Sequence, residues 1–251
     1  MDDRVAIVTG AGSGIGESTA RHLAQRGLEV ALVARRRERL DAVAEGIAKA
    51  GGRAFPVPAD LSQAEAPRAI VDRVLAESGR VDVIVNNAAS FQLKTVDEFT
   101  LEDFDDHVAV NLRAAYFLVQ AALPALRSSP AAVVVNVSSA AAVMYRRGQT
   151  VYGLTKAALE HMTMNMAAEL APDHVRVVCL RPGPVATEIH TAVADPGARL
   201  RELGKLVPLG RVGRPDEIAR WIGHLADLDA DWVTGTVVTI DGGRVLGPPG
   251  V

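Results

Sequence analysis

The chain has 251 residues, 49% of them hydrophobic, and a formal net charge of -3 at pH 7. That supports a sizeable core, argues against a nucleic-acid surface as the main function, and includes no apolar run of the ~18 residues needed to span a bilayer. A single cysteine, Cys179, excludes an intramolecular disulfide, and with no signal-type apolar region behind the two N-terminal Asp it points to a cytoplasmic protein.

The first element is a short apolar strand over 5–8, followed at once by Thr9-Gly-Ala-Gly-Ser-Gly-Ile-Gly16. An amphipathic helix over 15–26 comes next, then a second strand over 30–33. Strand, glycine-rich turn, helix, strand is the context of a phosphate site, because glycines admit the pyrophosphate and the helix N-terminus presents unpaired amides. The strict G-x-G-x-x-G pattern fails; the spacing is T-G-x-x-x-G-x-G, on Thr9, Gly10, Gly14 and Gly16. A carboxylate ending the second strand would hold the ribose 2′-hydroxyl of NAD. This chain has Ala34-Arg35-Arg36-Arg37 there, and guanidinium groups suit a 2′-phosphate. The expected cofactor is therefore NADP(H) rather than NAD(H), with Arg35 the main contact and Arg36 the second. The competing view is that 35–39 is a solvated helix start.

A helix over 40–49 leads to a third strand that exits through Asp60-Leu61. Helix 64–77 and strand 81–85 follow, the latter ending in Asn86-Asn87-Ala88-Ala89. The region 101–127 reads as one long helix. Asp103, Asp105 and Asp106 suit its positive end rather than a metal. Asn111 inside its apolar stretch is locally unfavourable, which marks a special role. A fifth strand, Val133-Val134-Val135, ends in Ser138-Ser139, and a helix carrying Tyr152 and Lys156 follows. Four residues apart, those two share a helix face. An ammonium beside a tyrosine favours the phenolate. Ser139, thirteen positions before Tyr152, can donate to a carbonyl oxygen gaining charge, and Tyr152 can give that oxygen its proton. Alone, Tyr-x-x-x-Lys is an ordinary helix with an exposed lysine; the dinucleotide turn in the same chain makes it specific. Ser138 is the rival of Ser139.

A sixth strand over 175–180 holds Cys179, read as a buried filler. Arg181-Pro-Gly-Pro-Val-Ala-Thr187 leads into an expected lid over 188–208, with Gly197 and Gly204 as breakers. Ile189, Val193, Leu200, Leu203 and Leu206 form its apolar side. Arg199, Arg201 and Lys205 either meet an acidic substrate or are solvated. Helix 216–225, a last strand within 233–243 and a Gly/Pro-rich tail complete the chain. The six histidines show no metal spacing. Strands alternate with helices throughout, so the expected fold is α/β: one Rossmann-type domain with a doubly wound parallel sheet of about seven strands, helices on both faces, and a cleft at the strands' carboxyl ends.

The glycine spacing, with Ser139, Tyr152 and Lys156 in order, resembles the short-chain dehydrogenase/reductase family in its single-domain branch, from Arg4 to Gly243. The 3-oxoacyl-carrier-protein reductases are the natural subgroup to consider. The resemblance implies cofactor contacts at Thr9, Gly10, Gly12, Ser13, Gly14, Ile15 and Gly16. It further implies contacts at Asp60 and Leu61 near the adenine (Asp60 is equally readable as a helix cap), at Asn87 and Ala88, and at Pro182, Gly183, Val185 and Thr187 near the nicotinamide. Asn111 is implied to hold, through its main chain, a water linking Lys156 to solvent. Ser139, Tyr152, Lys156 and Asn111 are the implied catalytic set, interconverting a small-molecule ketone and a secondary alcohol. A homo-oligomer is implied, a tetramer of dihedral symmetry or a dimer, with no membrane partner. Three departures stand out: Ser13 where NADP-preferring relatives often carry a base, Ala89 where Gly is usual, and Ala168 where a carrier-protein docking base is expected. Val143, Met144 and Tyr145 suggest a pocket for a mostly apolar or cyclic substrate. The rival readings are a non-catalytic NADP(H) sensor and an isomerase or dehydratase working through transient oxidation.

Overall fold

The structure is a computed structural model that describes residues 3–191 and 194–247. Seven strands form one sheet: β1 (Val5–Thr9), β2 (Glu29–Ala34), β3 (Arg53–Pro58), β4 (Val83–Asn86), β5 (Val133–Val137), β6 (Arg176–Pro182) and β7 (Val237–Ile240). All pair in parallel, in the order β3-β2-β1-β4-β5-β6-β7. Every residue of β1 and of β5 is buried, as expected of β-branched strands covered on both faces.

The helices are α1 (Gly14–Gln25), α2 (Arg37–Lys49), α3 (Ala66–Ser78), α4 (Leu101–Val108), α5 (Ala114–Ser128), α6 (Thr150–Leu170), α7 (Glu188–Thr191), α8 (Pro196–Gly204) and α9 (Pro215–Leu225). One face of the sheet is covered by α1, α2 and α9, through Leu23, Leu40, Ile218 and Ile222. The other is covered by α3, α5 and α6, through Ile70, Leu118, Leu126 and Met166. In α9, Ile218, Ile222 and Leu225 are buried at helical spacing. Thr100 starts α4 with a reciprocal cap: the Asp103 amide donates to its hydroxyl at 3.1 Å, and its own amide donates to the Asp103 carboxylate at 3.0 Å.

Two details differ from expectation. The arginine run does not precede its helix: α2 starts at Arg37, with Arg36 at the N-cap. The long helix is not uniform, because Ala109–Arg113 between α4 and α5 forms a π turn centred on Asn111. Periodicity cannot reveal a single inserted turn; such turns concentrate at functional positions. The continuous span Leu101–Ser128 is also the one described helix long and apolar enough to cross a membrane, with a window of mean hydropathy 1.3. Its Leu118, Ala122 and Leu126 face is fully buried on the sheet.

From β1 the chain winds outward through β2 to β3, then returns to β4 and winds the other way to β7. The reversal lies between β1 and β4, and there the helices diverge and leave a crevice above the carboxyl ends.

Candidate active site

A cleft of about 610 Å³ opens at that reversal. Its floor on one side is the turn after β1. Gly10 and Gly14 take positive φ (68° and 56°), which only glycine adopts without strain. Gly16 lies directly against the Gly10 carbonyl, so a methyl there would collide with it, whereas an added methyl at Gly12 meets nothing closer than 3.4 Å. Ser13 at the N-cap makes no side-chain hydrogen bond to α1, leaving the helix's first amides for another acceptor. These features fit a dinucleotide pyrophosphate.

Gly10, Ser13, Gly14 and Ile15 line the cleft; so do Asn87, Ala88, Pro182, Gly183, Val185 and Thr187. Thr9, Gly12, Gly16 and Leu61 do not. Thr9 is buried; its hydroxyl donates to the Val85 carbonyl and accepts from the Asn87 and Ala88 amides at 2.9 and 3.0 Å. It ties β1 to β4 and fixes the turn from behind. Leu61 packs in the core. Asp60 accepts from the Ser62 amide and hydroxyl at 3.0 and 2.9 Å. It therefore closes a turn at the exit of β3, and these bonds, aided by the Arg35 charge, hold its carboxyl below the usual range. Arg35 and Arg36 lie at the exposed edge beyond β2. Arg36 pairs with Glu188 at 3.4 Å and Arg39 pairs with the same carboxylate.

Across the cleft stand Ser139, Tyr152 and Lys156. The extended end of β5 presents Ser139, whose hydroxyl accepts from the Ala141 amide at 3.2 Å and lies near enough to the Tyr152 phenol to oppose, in part, the upward push of burial on it. The Ser138 hydroxyl points the other way and donates to the buried Glu160 carboxylate at 2.7 Å. Glu160 in turn holds Arg181 at 2.6 Å. Geometry thus separates the two serines that spacing left as rivals. Phe91 meets Tyr152 edge-on, ring centres 4.9 Å apart. The Lys156 ammonium donates to the Val137 carbonyl at 2.8 Å and lies 5.8 Å from the Tyr152 ring centre. Burial pushes the Tyr152 phenol up to about 12 and brings Lys156 down to about 8. The sequence expectation was a lowered phenol; with both groups nearly sealed from water, the loss of solvation dominates.

Asn111 does not line the cleft. Its side chain accepts from the Ser90 amide at 2.7 Å and donates to the Ser90 carbonyl and the Thr155 hydroxyl, both at 3.0 Å. It clamps the loop after β4 to the helix carrying Tyr152 and Lys156, and the π turn brings it there. Sequence reasoning missed Phe91, Gln149, His190 and Arg244 in the lining, and Glu160 and Arg181 beneath it. None sits in a local pattern; only the strand order gathers them. Arg146, likewise unassigned from sequence, lines the same wall as Met144 and Tyr145. Val193 of the expected lid and 248–251 of the tail fall outside the described residues.

A family model described as enoyl-(acyl carrier protein) reductase matches residues 10–244. The 3-oxoacyl-[acyl-carrier-protein] reductase of Thermotoga maritima is 33% identical over 246 residues, covering 98% of this chain and 99% of that one. The 3-ketoacyl-(acyl-carrier-protein) reductase of Brucella melitensis, solved with NADH, superposes with a TM-score of 0.88 at 32% identity, covering 96% of this chain and 98% of that one. The L-sorbose reductase of Gluconobacter frateurii, solved with NADPH and L-sorbose, gives 0.93 at 28% identity over 96% of each chain. Matches of this extent, to a fold and a cleft built as described, mean that the chain is a nicotinamide-dependent oxidoreductase acting on CH–OH and C=O groups, and that it belongs to the short-chain dehydrogenase/reductase family.

Proposed function

We propose that the protein interconverts a ketone and a secondary alcohol, with Ser139, Tyr152, Lys156 and Asn111 as its working set and NADP(H) as its cofactor. The observation that carries this reading is the meeting of Ser139, Tyr152 and Lys156 in one cleft lining, with the Lys156 ammonium 5.8 Å from the Tyr152 ring centre. The bound nicotinamide supplies or accepts the hydride. Ser139 donates to the substrate oxygen as negative charge builds on it. Tyr152 gives that oxygen its proton in reduction and recovers it in oxidation. A phenol raised by burial stays protonated and ready to act as an acid. Once the proton leaves, Lys156 attracts the phenolate. The ammonium lies 5.8 Å from the ring centre, and its attraction for the charged oxygen opposes the burial penalty on the phenolate. Asn111 positions the helix and loop around this pair.

For the cofactor, Gly10, Gly14 and the α1 amides take the pyrophosphate, and Pro182, Gly183, Val185 and Thr187 flank the nicotinamide end. NADP(H) is favoured because β2 ends without a carboxylate, and Arg36 with Arg39 already hold one anion, Glu188. NADPH is also what the sorbose reductase holds. We take the chain to work as one cytoplasmic domain with residues 188–208 as its lid. Tyr116 and Phe117 on α5, with Leu154 and Met164 on α6, are exposed apolar residues, and we assign them to subunit contacts in a homo-oligomer rather than to lipid.

The test is NADPH oxidation by the purified protein over ketones, acyl thioesters, quinones and sugars, with an enoyl thioester included. Ketone turnover supports the reading. Turnover of the enoyl thioester alone, or tight NADPH binding with no turnover of any class, overturns it.

A further inference from the structure

The lid end of the cleft carries positive charge without a counter-ion. Arg146 on the β5–α6 loop, His190 in α7 and Arg244 after β7 line the same cleft as Ser139 and Tyr152. Arg199 in α8 stands close enough for its charge to act on both Arg146 and His190, and Arg244 acts on Arg146 as well. Among the described residues no carboxylate pairs with Arg146, Arg199 or Arg244. Two other cations of this segment are neutralised, Lys205 by Glu202 and Arg211 by Glu217, each at 2.7 Å. The one carboxylate of the lining, Glu188, is turned to Arg36 and Arg39. Burial and the two arginines also lower the His190 pKa, keeping its imidazole neutral near pH 7. Three unpaired guanidiniums around a partly enclosed cleft repel one another and focus a positive field into it. The fold has no internal use for that arrangement, whereas an anionic ligand relieves it. The adjoining wall is apolar, formed by Phe91, Met144, Tyr145 and Leu206.

Resting on the ketoreductase reading above, we propose that the site takes ketones bearing an anionic group, such as a carboxylate or sulfonate, on an apolar or aromatic body. Arg146 and Arg244 hold the anion, Arg199 reinforces them from behind, and the carbonyl lies toward Ser139 and Tyr152. An acidic carrier protein is the less suited occupant. Arg146 and Arg244 open onto the cleft that holds Ser139 and Tyr152, and α6 carries Ala168 before Glu169.

The experiment uses matched pairs, 4-acetylbenzoate against its methyl ester and 4-oxopentanoate against its methyl ester. Binding is measured by calorimetry to the full-length protein saturated with oxidised cofactor, where no ketone is reduced. Each acid is expected to bind at least about tenfold tighter than its ester, the low end for charge-assisted hydrogen bonds at a partly exposed site. Arg146→Gln and Arg244→Gln should each weaken acid binding several-fold and leave the ester and the cofactor within twofold. Equal binding of acid and ester, or a preference that survives the double substitution, overturns the proposal. Turnover with reduced cofactor is a separate arm. Acids that bind selectively but are never reduced would sink the ketoreductase reading and leave the anion site standing. Esters reduced as efficiently as acids would do the reverse. A 3-oxoacyl carrier-protein thioester preferred over its pantetheine analogue, with the preference lost in the double variant, would assign the cluster to a protein partner and overturn the small-anion assignment.

Discussion

Lys156→Met should stabilise the protein at neutral pH, by an amount that shrinks as the pH rises. Lys156 is 2% exposed and burial lowers its pKa from 10.5 to about 8. The folded state therefore binds this proton less tightly than the unfolded chain does, and at pH 7 the buried charge costs about 3 kcal/mol. Methionine has similar length and no charge. It gives up the 2.8 Å hydrogen bond to the Val137 carbonyl, worth about 1 kcal/mol net. The variant should thus be about 2 kcal/mol more stable at pH 7. Between the folded value near 8 and the unfolded 10.5 the wild type sheds its proton, and its stability rises with pH. The variant has no such group. Its advantage should therefore narrow by about 2 kcal/mol on going to pH 9.5. Cys179, which burial pushes up to about 12 and the Lys156 charge draws slightly down, stays protonated in both folded chains up to pH 9.5 and so cancels from the comparison. The assay is urea unfolding of both proteins at one fixed concentration. A variant less stable at pH 7, or a difference independent of pH, would refute the reasoning.

Tyr152→Phe should abolish turnover while cofactor affinity, measured by fluorescence titration, stays within a few-fold. Ser139→Ala should lower kcat by about 10²–10³-fold, the usual loss for one donor to a developing oxyanion. Ser138→Ala should spare kcat far more and lower the melting temperature, because Glu160 loses its 2.7 Å donor. Gly16→Ala should weaken cofactor binding and destabilise the turn, since its methyl would meet the Gly10 carbonyl and lie 2.6 Å from the Asn87 side-chain nitrogen, Nδ2; unchanged affinity would contradict the close approach. Glu188→Gln should increase the NADPH over NADH preference in parallel titrations, by freeing Arg36 and Arg39; an unchanged ratio would remove Arg36 from the 2′-phosphate site.

Much of the fold was legible from Val5 to Ile240. Seven apolar runs alternating with helical periodicity imply a parallel sheet covered on both faces, and short spacings imply the glycine turn and the Tyr152/Lys156 pair. Those inferences work because strand burial and helix face are local properties of side-chain order. Spacing favoured Ser139 but left Ser138 a rival, because what distinguishes them is tertiary: one side chain lies beside the phenol and the other is bound by Glu160. The lid charges show the same limit. In sequence Arg199, Arg201 and Lys205 look alike. In the folded chain Lys205 is paired with Glu202, while Arg199 stands beside Arg146 and His190, contributed by other segments.

The sequence by itself determined the alternation of strand and helix, the glycine-rich turn after β1 and the sharing of one helix face by Tyr152 and Lys156, since each rests on residues within a few positions of one another. Only the tertiary structure decided the sign of the Tyr152 shift, the π turn that sets Asn111 against Ser90 and Thr155, and the charge around the substrate end. Solvation, hydrogen-bond partners and electrostatic fields depend on which distant segments close over a group, and that is a property of the packed sheet and its loops rather than of any stretch of chain.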